Sequence, residues 1–129
     1  MPWIKNIITN PSSGQVLIRF RVSTTGTPTN IIGLTGIYVS STAIAQIAVR
    51  RKNYAETQTY DNVWRVVCPA NDTRYIIVVD DPLVPYIGLP EAGTYEIVEI
   101  YSVTGITGTV FVAVQIFGGP TDVDIGSVF

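Results

Sequence analysis

The chain is predicted to be all-β, an immunoglobulin-like or jelly-roll β-sandwich of about eight antiparallel strands, and three observations carry that prediction. First, 34 of the 129 residues are Ile or Val and only four are Leu (Leu17, Leu34, Leu83 and Leu89). β-Branched side chains lose χ1 freedom in a helix and pack well on a pleated surface. Second, the apolar residues fall into short runs spaced roughly 8 to 12 residues apart and broken by Gly, Pro, Asn and Thr, as in sandwiches and small barrels. Third, the stretch from Asp80 to Pro90 contains three prolines and cannot be a central strand. It forms a long connection of the kind a Greek key needs when one strand crosses from one sheet to the other.

Residues 3 to 9 supply a first, peripheral strand. After the turn Asn10-Pro11-Ser12-Ser13-Gly14, residues 15 to 22 alternate Val16, Ile18, Phe20 and Val22 against Gln15, Arg19 and Arg21, the pattern of a half-buried strand. A Thr-, Gly-, Pro- and Asn-rich loop runs from Ser23 to Asn30, and the next run ends in Ile37-Tyr38-Val39. Residues 42 to 52 read either as a short amphipathic helix capped at Ser41 or Thr42, or as a strand alternating Ala45, Ile47 and Val49 with Gln46, Ala48 and Arg50. The strand is preferred, because the helix would be short and its neighbours are all β. Tyr54 to Tyr60 and Val63 to Cys68 read as a hairpin about Asp61-Asn62, two residues that tolerate positive φ. Trp64 falls on the face of Val66 and Cys68 and is expected to anchor the core. Arg74 to Asp80 is nearly continuous in apolar residues and is expected to be covered on both faces. Thr94 to Val103 and Thr109 to Phe117 are the two clearest strands, read as a hairpin about Thr104 to Gly108. Residues 1–118 thus form the expected sandwich. After Gly118-Gly119-Pro120, residues 119–129 form an expected C-terminal arm.

Composition narrows the function. The chain has no histidine, so the commonest general base and metal ligand at neutral pH is missing. No Ser lies in Gly-x-Ser-x-Gly, and nothing supplies a base to the serines or to Cys68. Glu96 and Glu99 differ by three positions and fall on opposite faces of a strand, so they do not form the carboxylate pair of a glycosidase. Asp80, Asp81, Asp122 and Asp124 offer hard oxygen ligands without the spacing of a calcium loop, and no phosphate-binding Gly-rich loop is present. The expectation is a non-enzymatic protein with no cofactor and no metal. The single cysteine excludes an intrachain disulfide and reads as a small buried hydrophobe.

Charged residues are 14% of the chain, against about 25% in an ordinary soluble domain. Residues 1 to 74 carry eight basic and three acidic residues, for +5, and residues 75 to 129 carry seven acidic and none basic, for −7. The halves either pair across neighbouring strands or match the opposite patch of another copy. The basic residues are too few and scattered for nucleic acid. No apolar stretch approaches the length of a membrane span, and no secretory signal is recognisable at the start.

The stretch Leu89-Pro90-Glu91-Ala92-Gly93-Thr94-Tyr95-Glu96-Ile97-Val98, followed by Val110-Phe111-Val112-Ala113-Val114, resembles the last two strands of immunoglobulin-like sandwiches. Leu34-Thr35-Gly36-Ile37-Tyr38-Val39 is similar to the entry of a middle strand in the N-terminal immunoglobulin-like domain of phage baseplate upper proteins and related virion accessory proteins. The resemblance implies that Tyr95 is a tyrosine-corner residue, bonding back to the preceding connection. It also implies a structural subunit of a particle, a virion decoration, capsid-accessory or tail protein, made in a host cytoplasm and located in the virion. Its partners would be copies of itself or other virion proteins. The expected contact residues are Trp3 and Ile4 near the start and Ile125, Val128 and Phe129 in the arm, which would add a strand to a neighbour. The alternative is a carbohydrate-binding or adhesin-type sandwich using exposed tyrosines among Tyr54, Tyr60, Tyr75, Tyr86 and Tyr101.

Overall fold

The computed structural model describes residues 3–23, 31–53, 55–77, 95–118 and 123–128. Ten strands run in order: β1 (Trp3–Thr9), β2 (Val16–Ser23), β3 (Ile31–Ser41), β4 (Ala45–Asn53), β5 (Thr59–Cys68), β6 (Asp72–Ile77), β7 (Tyr95–Ser102), β8 (Thr109–Gly118), β9 (Val123–Ile125) and β10 (Ser127–Val128). They form two antiparallel five-stranded sheets, sheet I in the order β10-β1-β8-β3-β6 and sheet II in the order β5-β4-β7-β2-β9. The fold is an all-β sandwich, as the Ile/Val excess predicts.

Its connectivity selects between the two expected versions. The pairs β1·β8, β2·β7, β3·β6 and β4·β5 are all antiparallel and hydrogen bonded. That is a single long hairpin, bent at β4–β5, whose four rungs are then rolled into two sheets. Such a rolled hairpin is the jelly roll. Consequently β7 and β8 lie in different sheets, and the hairpin expected for residues 94 to 117 does not exist. Alternation along a strand reports which side is buried, not which strand lies beside it. The turn between them crosses the sandwich and docks on the β1–β2 turn, because those strands are their partners: Asn10 N donates to Gly108 O at 2.8 Å and Ile106 N donates to Pro11 O at 2.9 Å.

The inward side chains are those that alternation predicts, except at the start of β2, where a bulge between Val16 and Ile18 buries Leu17 fully and leaves Val16 only half-buried. Ile18, Phe20 and Val22 on β2, Ile47 and Val49 on β4, Val98 and Ile100 on β7, and Val110, Val112, Val114 and Ile116 on β8 are buried in one cluster. Each removes roughly 1.5 to 3 kcal/mol worth of apolar surface from water. Cys68 joins this cluster, and burial foremost raises its thiol pKa, so it packs as a small hydrophobe. Residues 42 to 52 contribute strand β4 rather than a helix.

Other expectations change. Asp61 and Asn62 lie inside β5, and the chain reverses earlier, where Asn53 Oδ1 accepts from Thr57 N at 2.8 Å and Gln58 N at 3.0 Å. A side-chain acceptor that copies a turn carbonyl outweighs the Asp-Asn signal. The run from Arg74, expected to be covered on both faces, supplies the edge strand β6, with Thr73, Arg74 and Tyr75 exposed. β1 is not peripheral, because β8 flanks one side and β10 the other.

The C-terminal segment does not project as an arm over residues 123–128. β9 pairs with β2 (Arg19↔Ile125) and β10 with β1 (Ile4↔Val128), so it closes one side of the sandwich by stepping from sheet II to sheet I. Gly126 makes the step at φ 120°. A Cβ there would stand 2.8 Å from Ile4 Cγ2, in a backbone conformation that L side chains avoid. Gly126→Ala is therefore expected to release β9 and β10 while leaving the eight-stranded core folded. Hydrogen exchange by mass spectrometry checks this: residues 123–128 should exchange faster than in the unsubstituted protein, with β7 and β8 unchanged. Equal exchange in the segment would show that Gly126 is not required for the step.

Candidate functional site: two unlike outer faces

The outer face of sheet II is closed by charge. Arg19 on β2, Glu99 on β7 and Arg50 on β4 stand directly opposite one another across three adjacent strands. Glu99 is only 1% exposed. Its Oε2 accepts from Arg19 Nη1 at 2.8 Å and its Oε1 from Arg50 Nε at 2.7 Å, with Lys52 Nζ 3.2 Å away. Burial pushes the Glu99 carboxyl up, but hydrogen bonds and charge from Arg50 and Lys52 outweigh it and hold the pKa below the ordinary Glu range. Glu56, in the β4–β5 turn, meets Arg19 at 3.0 Å, and Asp124 on β9 lies 3.6 Å from Arg19 and 3.8 Å from Arg21. Arg50 covers the Tyr101 ring at 4.4 Å and Arg21 the Tyr95 ring at 5.3 Å. Glu99 and Asp124, from the acidic second half of the chain, are thus matched to arginines of the basic first half inside one sheet.

Glu96, three residues earlier, faces the interior as its spacing from Glu99 predicts. There it meets the fully buried Arg51 at 3.3 Å, and burial foremost, opposed by Arg51, raises its pKa. Plain alternation along β4, inward at Val49, outward at Arg50 and inward again at Arg51, places that arginine there.

Sheet I has the opposite character. Two of its three inner strands, β3 and β8, contain no charged residue at all, and the third, β1, carries Lys5. At outward positions the register sets Ala113 between Lys5 and Tyr38, and Tyr38 opposite Tyr75; one step along, Phe111 lies between Ile7 and Ser40. Trp3 comes from β1 and Tyr75 from β6, three strands and roughly 14 Å apart at the backbone. Their rings nonetheless approach to 5.9 Å, leaning over the small residues Ala113 and Gly36. Tyr38 meets Tyr75 at 6.4 Å and Phe111 edge-on at 5.7 Å. The rings border a shallow apolar hollow of about 250 Å³ lined by Trp3, Tyr38, Phe111 and Ala113. Beside it Ile7 is 62% exposed and Tyr75 43%.

Of the expected contact residues, Trp3 belongs to this face. Ile4 does not: it alternates inward, is fully buried and packs in the core. Ile125 and Val128 are partly exposed, on strands paired within the chain. Phe129 lies outside the described residues. Tyr95 is placed on the outer face of sheet II, and the connection a tyrosine corner would bond lies outside the described residues. Trp64 occupies β5 opposite Val49, and its side chain lies outside them too. Of the five tyrosines considered for glycans, Tyr75 is on the aromatic face and Tyr101 is buried under Arg50; Tyr54, Tyr86 and the Tyr60 side chain are not described. Of the calcium candidates, Asp124 is paired with arginines and the other three lie outside the described residues.

Tyr38, Phe111 and Ile7 were not singled out from the sequence, although a signal existed. Tyr38 sits between inward Ile37 and Val39, and Phe111 between inward Val110 and Val112, so both rings occupy outward positions. Among the described residues no three His, Cys, Asp or Glu side chains gather as a metal site, and no helix is long and apolar enough to cross a membrane. Comparison with protein-family models, curated proteins and solved structures returns no match.

Replacing Glu99 by Gln leaves Arg19, Arg50 and Lys52 crowded without their counter-charge, and a loss of about 2 to 3 kcal/mol is expected. The sign with pH follows from the depressed folded pKa: the stabilisation is present above the unfolded value, about 4.3, and lost as pH falls through the folded value. Thermal melts from pH 7 to 3 should show the gap between the unsubstituted protein and Glu99→Gln narrowing below about pH 4.3. A gap that stays constant would exclude ionised Glu99 as its source.

Proposed function

We propose that this protein is a non-enzymatic structural subunit that packs against copies of itself through the outer face of sheet I, as a virion decoration, capsid-accessory or tail protein would. The observation that carries the reading is the contrast between the two faces. Sheet II turns a closed ionic network to solvent; sheet I turns out Trp3, Ile7, Tyr38, Tyr75 and Phe111. Aromatic residues with few charges are the composition of an interface centre. Copies suit this face better than a charged partner does, because its middle strands offer no charge to match. A two-fold axis parallel to the strands lays the β1 edge of one copy over the β6 edge of the next, so Lys5 never opposes itself. Two earlier supports for assembly weaken, since Glu99 and Asp124 of the acidic half are matched to arginines of the basic half within sheet II and residues 123–128 pair within the chain. The particle-subunit reading rests on the aromatic face and the sparse charge.

Ile7→Asp and Tyr75→Glu place a carboxylate on opposite sides of the ring cluster without touching the core. Light scattering coupled to size exclusion, at micromolar to hundred-micromolar concentration, is expected to show an oligomer for the unsubstituted chain and a monomer for either variant, with unchanged circular dichroism. An unsubstituted chain that is monomeric throughout would overturn self-association.

A further inference from the structure

A second, chemically different hollow adjoins the aromatic face at the end of sheet I where β3, β6 and β8 meet two turns. It measures about 380 Å³ and is lined by hydroxyl, amide and carboxylate groups, with Phe111 as its single ring. Volumes of this order suit small-molecule sites. Ser41 and Thr42 are engaged in holding the walls: Ser41 Oγ donates to Ala43 O at 2.6 Å, and Thr42 Oγ1 accepts from Thr109 N at 2.9 Å. Asn71 stands in the β5–β6 turn at φ 55°, which fixes where its amide begins. Asp72 accepts two hydrogen bonds at the rim. Its Oδ1 accepts from Thr73 N at 2.7 Å and its Oδ2 from Arg74 Nη1 at 2.6 Å, leaving lone pairs on both oxygens.

Three properties limit what the hollow can take. Arg74 neutralises Asp72, so the lining has no net positive charge to attract phosphate or sulfate. The hydroxyls of Ser40, Thr73 and Thr109 would be desolvated without compensation by a purely apolar ligand. One ring bordering a rim of donors and acceptors matches a molecule with an apolar face and hydroxyls on its edge. We infer that this hollow is a binding subsite for a neutral sugar ring, stacked on Phe111 and hydrogen bonded to Asn71, Asp72 and Thr73. The inference goes beyond self-assembly and does not depend on it, because its polar groups, Asn71, Asp72, Thr73 and Thr109, lie at the end of the sheet; Phe111 alone borders both hollows.

The test is an amide NMR titration with uncharged glucose, galactose, mannose and N-acetylglucosamine, together with their short oligomers, repeated on the Tyr75→Glu variant so that self-association cannot mask the site. Expected are shifts confined to Asn71–Arg74, Ser40–Thr42 and Thr109–Phe111 for at least one sugar, with a dissociation constant on the order of 1 mM, the scale a dozen-atom ligand reaches. Asn71→Ala should weaken it about tenfold and Phe111→Ala about three- to tenfold, with the rest of the spectrum retained. No shift with any neutral sugar would overturn the inference, as would shifts only with sulfated or sialylated sugars, or shifts centred on Trp3 and Tyr38.

Discussion

The row Arg19–Glu99–Arg50 is the interaction on which sheet II depends. β7 is the middle strand of that sheet, and its neighbours β2 and β4 come from stretches 80 and 49 residues away. Hydrogen bonding along a ladder does not by itself choose a register, since a slip of two residues restores the same faces. The opposed triplet does choose one. A slip of one residue would turn Glu99 into the core and Val98 and Ile100 out of it, and a slip of two would set Arg19 and Arg50 opposite Ile97 or Tyr101 instead of Glu99. Burial of the carboxylate and depression of its pKa are two expressions of the same geometry, three cations converging on two oxygens.

The rolled hairpin makes this specification necessary. Because β1 pairs with β8 and β2 with β7, the ends of the chain must find each other before either sheet is complete. Such non-local pairing carries a loop-closure cost before contacts offset it, and jelly rolls accordingly fold slowly compared with helical bundles. Only the β4–β5 rung is local, closed by the Asn53 side chain, which makes it the natural place for pairing to begin. The step at Gly126 seals one side, carrying the chain from β9 beside β2 to β10 beside β1.

The strands were legible because burial on one face leaves a period of two in the sequence; residues 18 to 22 show it cleanly, whereas residues 110 to 116 are apolar at every position but Gln115. Strand neighbours were not, because Thr94–Val103 and Thr109–Phe117 alternate equally well whether they form a hairpin or span two sheets. The aromatic face was half legible. Tyr75 stood out as surplus to the core, but Phe111 and Tyr38 lie inside apolar runs, where an outward ring looks like one more core residue until parity is counted. Ile4 misled for the same reason: it is next to Trp3 in sequence and on the opposite side of β1 in space. The long-range fact, that Trp3 and Tyr75 meet across three strands, has no local trace.

Sparse charge acquires a more specific meaning from this arrangement. Among the described residues the charges are unevenly placed: β2, β4, β7 and β9 carry the ionic network, β1 and β6 add Lys5, Asp72 and Arg74, and β3 and β8 carry none. In a sandwich whose two outer faces both met only water, selection for solubility would act on both alike. A face whose middle strands lack charge, and whose outward positions hold Trp, Tyr, Phe and Ile above a floor of Gly36 and Ala113, is instead built like the centre of a contact. The small residues let the rings lie down and meet, trading individual exposure for a continuous apolar surface. On the proposed reading sheet II has a complementary role: its ionic network would keep the opposite face of each copy hydrated, so that association through sheet I would stay directional rather than become indiscriminate aggregation.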